Sequence, residues 1–257
     1  MPPSWGAAAL LHPSRKPLAG STPLPAEKVE IAGDGVTLEG WLFRAAGVSR
    51  GTIIYLHGVA DNRTSVVGVA KRYVPRGYDV LAYDSRAHGD STGDACSYGY
   101  FEKRDLAKAI AFLDVPDVAV IGVSLGAAVA LQAAAEDPRI ARIVGISTFS
   151  DLRTIASERA PFFASAANVR EAIAIAERQA GFVADQVSPV KAASLLSIPV
   201  LLIHGADDRE TAPAHSERVY QALKGPKRLL LLPKNGHAVH LDGATWRIID
   251  EWLTPGA

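Results

Sequence analysis

The stretch Val118-Ala119-Val120-Ile121-Gly122-Val123-Ser124-Leu125-Gly126-Ala127-Ala128-Val129-Ala130-Leu131-Gln132-Ala133-Ala134-Ala135 decides the fold. Its first four residues form an apolar, β-rich run suited to a buried strand. The alanine- and leucine-rich end is a strong helix former. Between them, Gly122-Val123-Ser124-Leu125-Gly126 fits the sharp strand-to-helix turn that exposes a serine hydroxyl above a sheet. The two glycines have a reason there, because side chains would collide in so tight a crossing.

The same GxSxG spacing occurs twice more, at Gly47-Val48-Ser49-Arg50-Gly51 and Gly89-Asp90-Ser91-Thr92-Gly93. Ser49 precedes a strand instead of following one. Ser91 lies in a polar loop with no helix behind it. Only Ser124 has both neighbours the turn requires.

Working outward, strand-like and helix-like segments alternate, which argues for an α/β fold with a mainly parallel sheet flanked by helices. Val29 to Ile31 and Thr37 to Arg44, around Gly33-Asp34-Gly35, read as an antiparallel opening hairpin. Thr52 to Leu56, Val80 to Tyr83, Val118 to Ile121, Ile143 to Ser147, Val200 to Ile203 and Arg228 to Leu232 read as short buried strands. Helices are expected at about Ser65 to Pro75, Tyr100 to Leu113, Leu125 to Glu136, Ala214 to Leu223 and Ala244 to Leu253. The connection from Phe149 to Ile198 is longer than one crossover helix requires, and two helices are expected in it, near Leu152 to Glu158 and Val169 to Ala180. In the second, Val169, Ala172, Ile173 and Ala176 share one face. Residues 149–198 thus hold either a helix pair packed on the domain or a small cap over the carboxyl ends of the strands.

Composition narrows the class. At 257 residues the chain suits one domain with a substantial core. Lys plus Arg is 27 and Asp plus Glu is 27, so no net field favours nucleic acid or an anionic membrane. A small, roughly neutral partner is expected instead. Hydrophobic residues make up 48% of the chain, yet no apolar run approaches the roughly 20 residues that span a bilayer. Cys96 is the single cysteine, which excludes an intrachain disulfide, and its loop context suggests an incidental thiol. Residues 1–26 are rich in proline and read as an irregular arm ahead of a main domain at 27–257. The basic residues Arg15 and Lys16 come after the short apolar Trp5 to Leu11 stretch, the reverse of a signal peptide, so a cytoplasmic location is expected.

A serine hydroxyl needs a histidine base, itself oriented by a carboxylate. The run Val200-Leu201-Leu202-Ile203 ends in His204-Gly205-Ala206-Asp207-Asp208, which puts two carboxylates on one strand-end loop. Asp151 and Glu210 are further candidates. Leu229 to Leu232 ends in Pro233-Lys234-Asn235-Gly236-His237, with His240 three residues on. His57, His88 and His204 sit beside glycines at strand ends, where bracing loops by hydrogen bonds is the simpler role. His237-x-x-His240 without a cysteine cluster is weak evidence for a metal site, and no GxxxxGK[ST] or dinucleotide fingerprint occurs. No cofactor or metal is expected.

These residues, in the order Ser, Asp, His, resemble the α/β-hydrolase fold family over about residues 27 to 253. The likeness includes Leu56-His57-Gly58 and the loop Asp84-Ser85-Arg86-Ala87-His88-Gly89-Asp90-Ser91, which in similar proteins is structural. The resemblance selects Asp208, by its spacing from Gly205, and His237, by its preceding glycine. It implies a catalytic set of Ser124, Asp208 and His237, with the N–H groups of Val59 and Leu125 as oxyanion donors. Similar proteins also carry a segment like Leu10-Leu11-His12-Pro13, sometimes behind a membrane anchor. No stable membrane insertion is expected here. The expected activity is a serine esterase acting on a small ester through an acyl-enzyme, with thioesters, amides and peptides as alternatives and a non-catalytic binding role as the rival. Phe149, Phe162, Phe163 and Phe182 are candidate pocket walls.

Overall fold

Apolar runs of this kind become strands when both of their faces can be covered. A computed structural model describes residues 2–18, 22 and 24–253 of the chain. In chain order the elements are α1 (Pro3–Leu11), β1 (Glu27–Ala32), β2 (Thr37–Phe43), β3 (Thr52–Leu56), α2 (Val67–Tyr73), β4 (Asp79–Tyr83), α3 (Glu102–Leu113) and β5 (Val118–Val123). Then follow α4 (Leu125–Ala134), β6 (Ile140–Ile146), α5 (Leu152–Glu158), α6 (Ala166–Ala180), α7 (Pro189–Ala193), β7 (Val200–Gly205), α8 (Ala214–Ala222), β8 (Lys227–Leu232) and α9 (Gly243–Leu253). Short 3₁₀ turns at Arg63–Val66 and Val74–Arg76 bracket α2.

The strands form one sheet in the order β1-β2-β4-β3-β5-β6-β7-β8. β2 is antiparallel to both β1 and β4, and the pairings from β4 through β8 are parallel. The chain leaves β3 toward β4, then crosses back to β5 on the other side of β3. That reversal opens a crevice at the carboxyl ends of β3 and β5, where ligands of open α/β sheets bind.

Burial on both faces explains the unbroken apolar runs. Within β3, Ile54 and Leu56 join a core shared with Leu106 and Ile110 of α3, Val129 of α4 and Val219 of α8. Ile53 and Tyr55 turn to the opposite core, with Val69 and Tyr73 of α2 and Ile249 of α9. A third apolar cluster joins Ala7 and Leu11 of α1, Leu152 and Ile155 of α5, and Ile173 and Ala176 of α6. The 149–198 connection therefore does carry two main helices, and the short α7 follows them. Asp151 caps α5 by accepting from Thr154 N at 2.8 Å, and Gly181 closes α6 in the left-handed conformation at φ 68°.

The amino-terminal segment departs from the expected irregular arm. Pro3 occupies the first turn of α1, the position where its missing N–H is harmless, and Gly6-Ala7-Ala8-Ala9-Leu10-Leu11 continues the helix. Beyond it, side chains and backbone strap the segment onto the domain. Arg15 Nη1 donates to Ser91 O at 2.7 Å and Nη2 to Gly93 O at 2.6 Å, while Tyr98 Oη donates to Leu10 O at 3.0 Å. Residues 1, 19–21 and 23 of this segment, and 254–257 at the other end, lie outside the described residues. Cys96 N bonds Leu11 O at 2.9 Å, and burial pushes its thiol well above the usual range, which makes it a poor nucleophile. Among the described residues no helix is long and apolar enough to cross a membrane.

Candidate active site

β5 delivers Ser124 and α4 begins directly after it. Ser124 has φ 50° and ψ −108°, a sparsely populated conformation that costs on the order of 1–3 kcal/mol and persists only where its surroundings enforce it. The enforcement is visible in the flanking glycines. A Cβ on Gly122 would stand 2.5 Å from Ala127 N, and one on Gly126 would stand 2.2 Å from Leu56 O. Both contacts are impossible for any other residue without moving β3 or α4. Ser124 N also donates to Ile146 O at 2.7 Å, tying the turn to β6.

The loops after β7 and β8 meet beside this serine. Gly205 allows the meeting, since a Cβ there would lie 2.2 Å from Gly236 O. Asp207 N donates to Asn235 O at 2.9 Å, and Ser147 Oγ donates to His237 O at 3.1 Å. The result places His237 Nε2 3.0 Å from Ser124 Oγ and His237 Nδ1 2.7 Å from Asp208 Oδ2. Because a carboxylate only accepts, the pairing assigns the proton to Nδ1 and leaves Nε2 as acceptor for the serine hydroxyl.

Asp208 is buried and heavily engaged. Its Oδ1 accepts from the N–H groups of Glu210 and Thr211, both at 2.9 Å, and its Oδ2 also receives His204 Nε2 at 3.1 Å. Burial would raise this carboxyl, but the Thr211 N–H and His237 outweigh it and hold it below the usual carboxylate range. His204 Nε2 lies 2.8 Å from Thr211 O, so that nitrogen carries the proton and Nδ1 accepts from Ser216 Oγ at 2.6 Å. The alternatives lie elsewhere. Asp207, Glu210 and His240 are exposed, and Asp151 is committed to capping α5.

The remaining strand-end histidines brace loops. His57 Nδ1 bonds Gly58 O at 2.7 Å and Nε2 accepts from Ser85 N at 2.9 Å, while burial and the neighbouring His88 lower its pKa to about 4. His57 is thus a neutral strut. Ser91 Oγ donates to Asp84 O at 2.6 Å and accepts from Glu39 N at 2.8 Å. Ser49 Oγ sits in an exposed turn, 2.9 Å from Gly51 O.

A cavity of about 350 Å3 opens above Ser124. Val59 and Leu125 line it beside the serine, and a Cβ on the adjacent Gly58 would come within 3.5 Å of Ser124 Cβ. Leu125 is the first residue of α4, so its N–H has no partner within the helix and is available to an anionic oxygen. The walls are mainly apolar, with Arg159, Asn168 and Thr211 among the polar exceptions. Phe149, Leu152 and Val169 contribute from the region after β6, and Pro3, Gly6 and Leu10 contribute from α1.

Three of the four expected phenylalanine walls are placed differently. Phe162 is fully exposed and Phe163 is 61% exposed, because both ride the turn between α5 and α6, whose smaller residues Ala160, Pro161 and Ala164 face the cavity instead. Phe182 is buried against Tyr100 with ring centroids 6.2 Å apart and does not line the cavity. Sequence reasoning also missed the α1 wall, Tyr98 and Arg159. The run of small residues after Pro3 was the available signal for α1. Among the described residues no group of three or more His, Cys, Asp or Glu is placed to hold a metal ion.

Comparison with known proteins agrees with this architecture. A family profile described as alpha/beta hydrolase fold matches residues 51–170, and one described as PhoPQ-activated pathogenicity-related protein matches residues 168–250. The chain is 32% identical over 201 residues to the uncharacterized protein YqkD of Bacillus subtilis (strain 168), covering 73% of this chain and 65% of that protein. It is 29% identical over 231 residues to the uncharacterized protein YfhR of Escherichia coli (strain K12), covering 85% and 75%. It therefore spans just under two thirds of the length of the Bacillus relative. Among solved structures, the Pyrococcus furiosus esterase Pf2001 superposes with a TM-score of 0.76 at 24% identity, covering 95% of this chain and 100% of that one. A Pyrococcus horikoshii acylaminoacyl peptidase superposes with a TM-score of 0.69 at 14% identity, covering 91% and 43%. At these identities the structural likeness speaks to fold.

Proposed function

From the premise that this chain is an α/β-hydrolase-fold protein, we propose that it is a serine esterase that cleaves small carboxylic esters through an acyl-enzyme. The observation that carries the proposal is the continuous relay Asp208–His237–Ser124 opening into an apolar cavity. Ser124 Oγ attacks the ester carbonyl carbon as its proton passes to His237 Nε2. Negative charge then develops on the carbonyl oxygen, where the N–H groups of Leu125 and Val59 receive it. Asp208 keeps the ring in the required tautomer and stabilises the imidazolium that forms. Collapse of the tetrahedral intermediate breaks the bond to the alcohol, which leaves with the proton from His237. Water, deprotonated by the same nitrogen, attacks the acyl-enzyme, and the acid departs as Ser124 regains its proton.

The walls favour an apolar acyl group over a sugar or a peptide. The volume sits at the low end of ligand cavities, which run from about 300 to 1,000 Å3, and supports short to medium acyl chains. The test is release of p-nitrophenol from esters of increasing acyl length, beside thioesters and aminoacyl amides, together with labelling by a fluorophosphonate. Wild type should hydrolyse the shorter esters and label, and Ser124→Ala should do neither. Equal rates for the two proteins would remove Ser124 as nucleophile, and a wild type inert in both assays would favour a binding role.

A further inference from the structure

Two consecutive residues at the end of α5 tie it to α8 and to the loop that carries Asp208. Glu158 Oε2 lies 2.8 Å from His215 Nε2, in the first turn of α8. Arg159 donates Nε–H to Glu210 O and Nη2–H to Thr211 Oγ1, both at 2.9 Å. These acceptors belong to the two residues whose backbone N–H groups fix Asp208 Oδ1. Thr211 also anchors His204 through its carbonyl, and His204 touches the other oxygen of Asp208. The bonds that Glu210 N, Thr211 N and His204 Nε2 make to the acid therefore come from residues that Arg159 grips or that touch one of them, while Asp208 N is held separately by Gly205 O at 3.2 Å.

The chemistry of the grip suits a positioning task. A guanidinium is a rigid planar fork that satisfies two acceptors at once, where an ammonium offers a single point. The Glu210 carboxylate, 70% exposed and 4.0 Å away, adds little by charge. Residues 206–210 are mostly solvent-exposed, with Asp208 as the buried exception, so Arg159 supplies packing-side support that the loop's own side chains do not.

Resting on the ester-hydrolase reading above, we propose that Arg159 is a positioning residue that keeps Asp208 aimed at His237 by holding the Glu210 carbonyl and the Thr211 hydroxyl. Arg159 also lines the cavity, which makes direct contact with substrate the rival role.

The experiment measures kcat and KM on p-nitrophenyl butyrate and octanoate for wild type, Arg159→Gln, Arg159→Lys, Asp208→Asn and the double variant Arg159→Gln/Asp208→Asn, with thermal midpoints recorded for each. A misplacement of the acid should lower kcat of Arg159→Gln on the order of tenfold or more on both esters, with KM moving less. Arg159→Lys should recover part of that loss, and it carries the comparison should the glutamine variant fail to fold. In the Asp208→Asn background the same substitution should cost less than about threefold, because residues that act as a unit are not additive. The full loss repeated in that background, a loss confined to one acyl length, or an unchanged kcat would each overturn the proposal. An Asp208→Asn protein as active as wild type would instead overturn the triad reading beneath it, and that single variant separates the two failures.

Discussion

The turn at Gly122–Gly126 and the turn at Gly89–Gly93 share a five-residue pattern and a buried serine, and they use it in opposite ways. Ser91 spends its hydroxyl: one bond goes out to Asp84 O and one comes in from Glu39 N. Its oxygen stitches β2 to the loop after β4. Ser124 sits on a strained turn with its hydroxyl directed to His237 and exposed to the cavity. A hydroxyl whose capacity is filled by backbone stabilises the fold, and one left to a base and an open space can react. The third turn, at Ser49, also spends its hydroxyl on backbone, at Gly51 O, Gly51 N and Asp79 N, but in the open, where water can replace those bonds.

That contrast can be broken experimentally, beginning where the effect is largest. Ser124→Ala should lower ester hydrolysis by about 10⁴-fold or more while leaving the thermal midpoint little changed or raised. A stable protein with residual activity near wild type would erase the distinction. Next, Asp208→Asn should lower kcat by about 10³-fold or more, and Asp207→Asn, on the same loop but pointing to solvent, should leave it nearly unchanged. The reverse order would move the acid by one residue.

The strut beside the Ser91 loop supplies a pH test. His57 has a folded pKa of about 4, below the unfolded histidine value of about 6.5. As pH falls, the unfolded chain takes up this proton first, so the stability is fully present above about 6.5, declines toward pH 4 and then levels. The loss should be on the order of 3 kcal/mol from this group, read as a falling urea midpoint between pH 7.5 and 4.5. His88, His204 and His215 are lowered as well, and Asp84 and Asp105 are raised. The His57 share is therefore read as the difference in slope between wild type and His57→Gln, and equal slopes would deny that His57 is buried in its neutral form.

Ser91→Ala should behave as the mirror image of Ser124→Ala. Removing its hydroxyl strands Asp84 O and Glu39 N, which should cost about 1–3 kcal/mol of stability with most of the activity retained. Ser49→Ala should change stability by no more than about 0.5 kcal/mol and leave activity alone. Urea denaturation of the three alanine variants, measured beside their esterase rates, ranks all three serines in one series.

Much of this architecture was legible because it is locally encoded. Ile53, Ile54, Tyr55 and Leu56 are apolar on both faces because helices cover both faces, and a window of five residues already carries that signal. The strand, glycine, serine and helix around Ser124 are contiguous, so the elbow could be read without knowing the fold. The walls of the cavity could not. Phe162 and Phe163 are candidates by composition, yet the turn between α5 and α6 points them outward and lets alanine and proline face the cavity. α1 was hidden by prolines on either side, although Pro3 at the first turn favours a helix start.

By itself, then, the amino-acid sequence determined the alternation of strands and helices, the parallel sheet that follows from it, and Ser124 as the serine at a strand-to-helix turn, since each rests on neighbours along the chain. The tertiary structure decided how Asp208 differs from Asp207, why Arg159 at the end of α5 reaches the Asp208 loop, and which residues enclose the cavity. Those depend on loops brought together from positions as distant as 10, 59, 124, 159 and 237. Contacts between such segments are set by how sheet and helices pack, and no local periodicity records them.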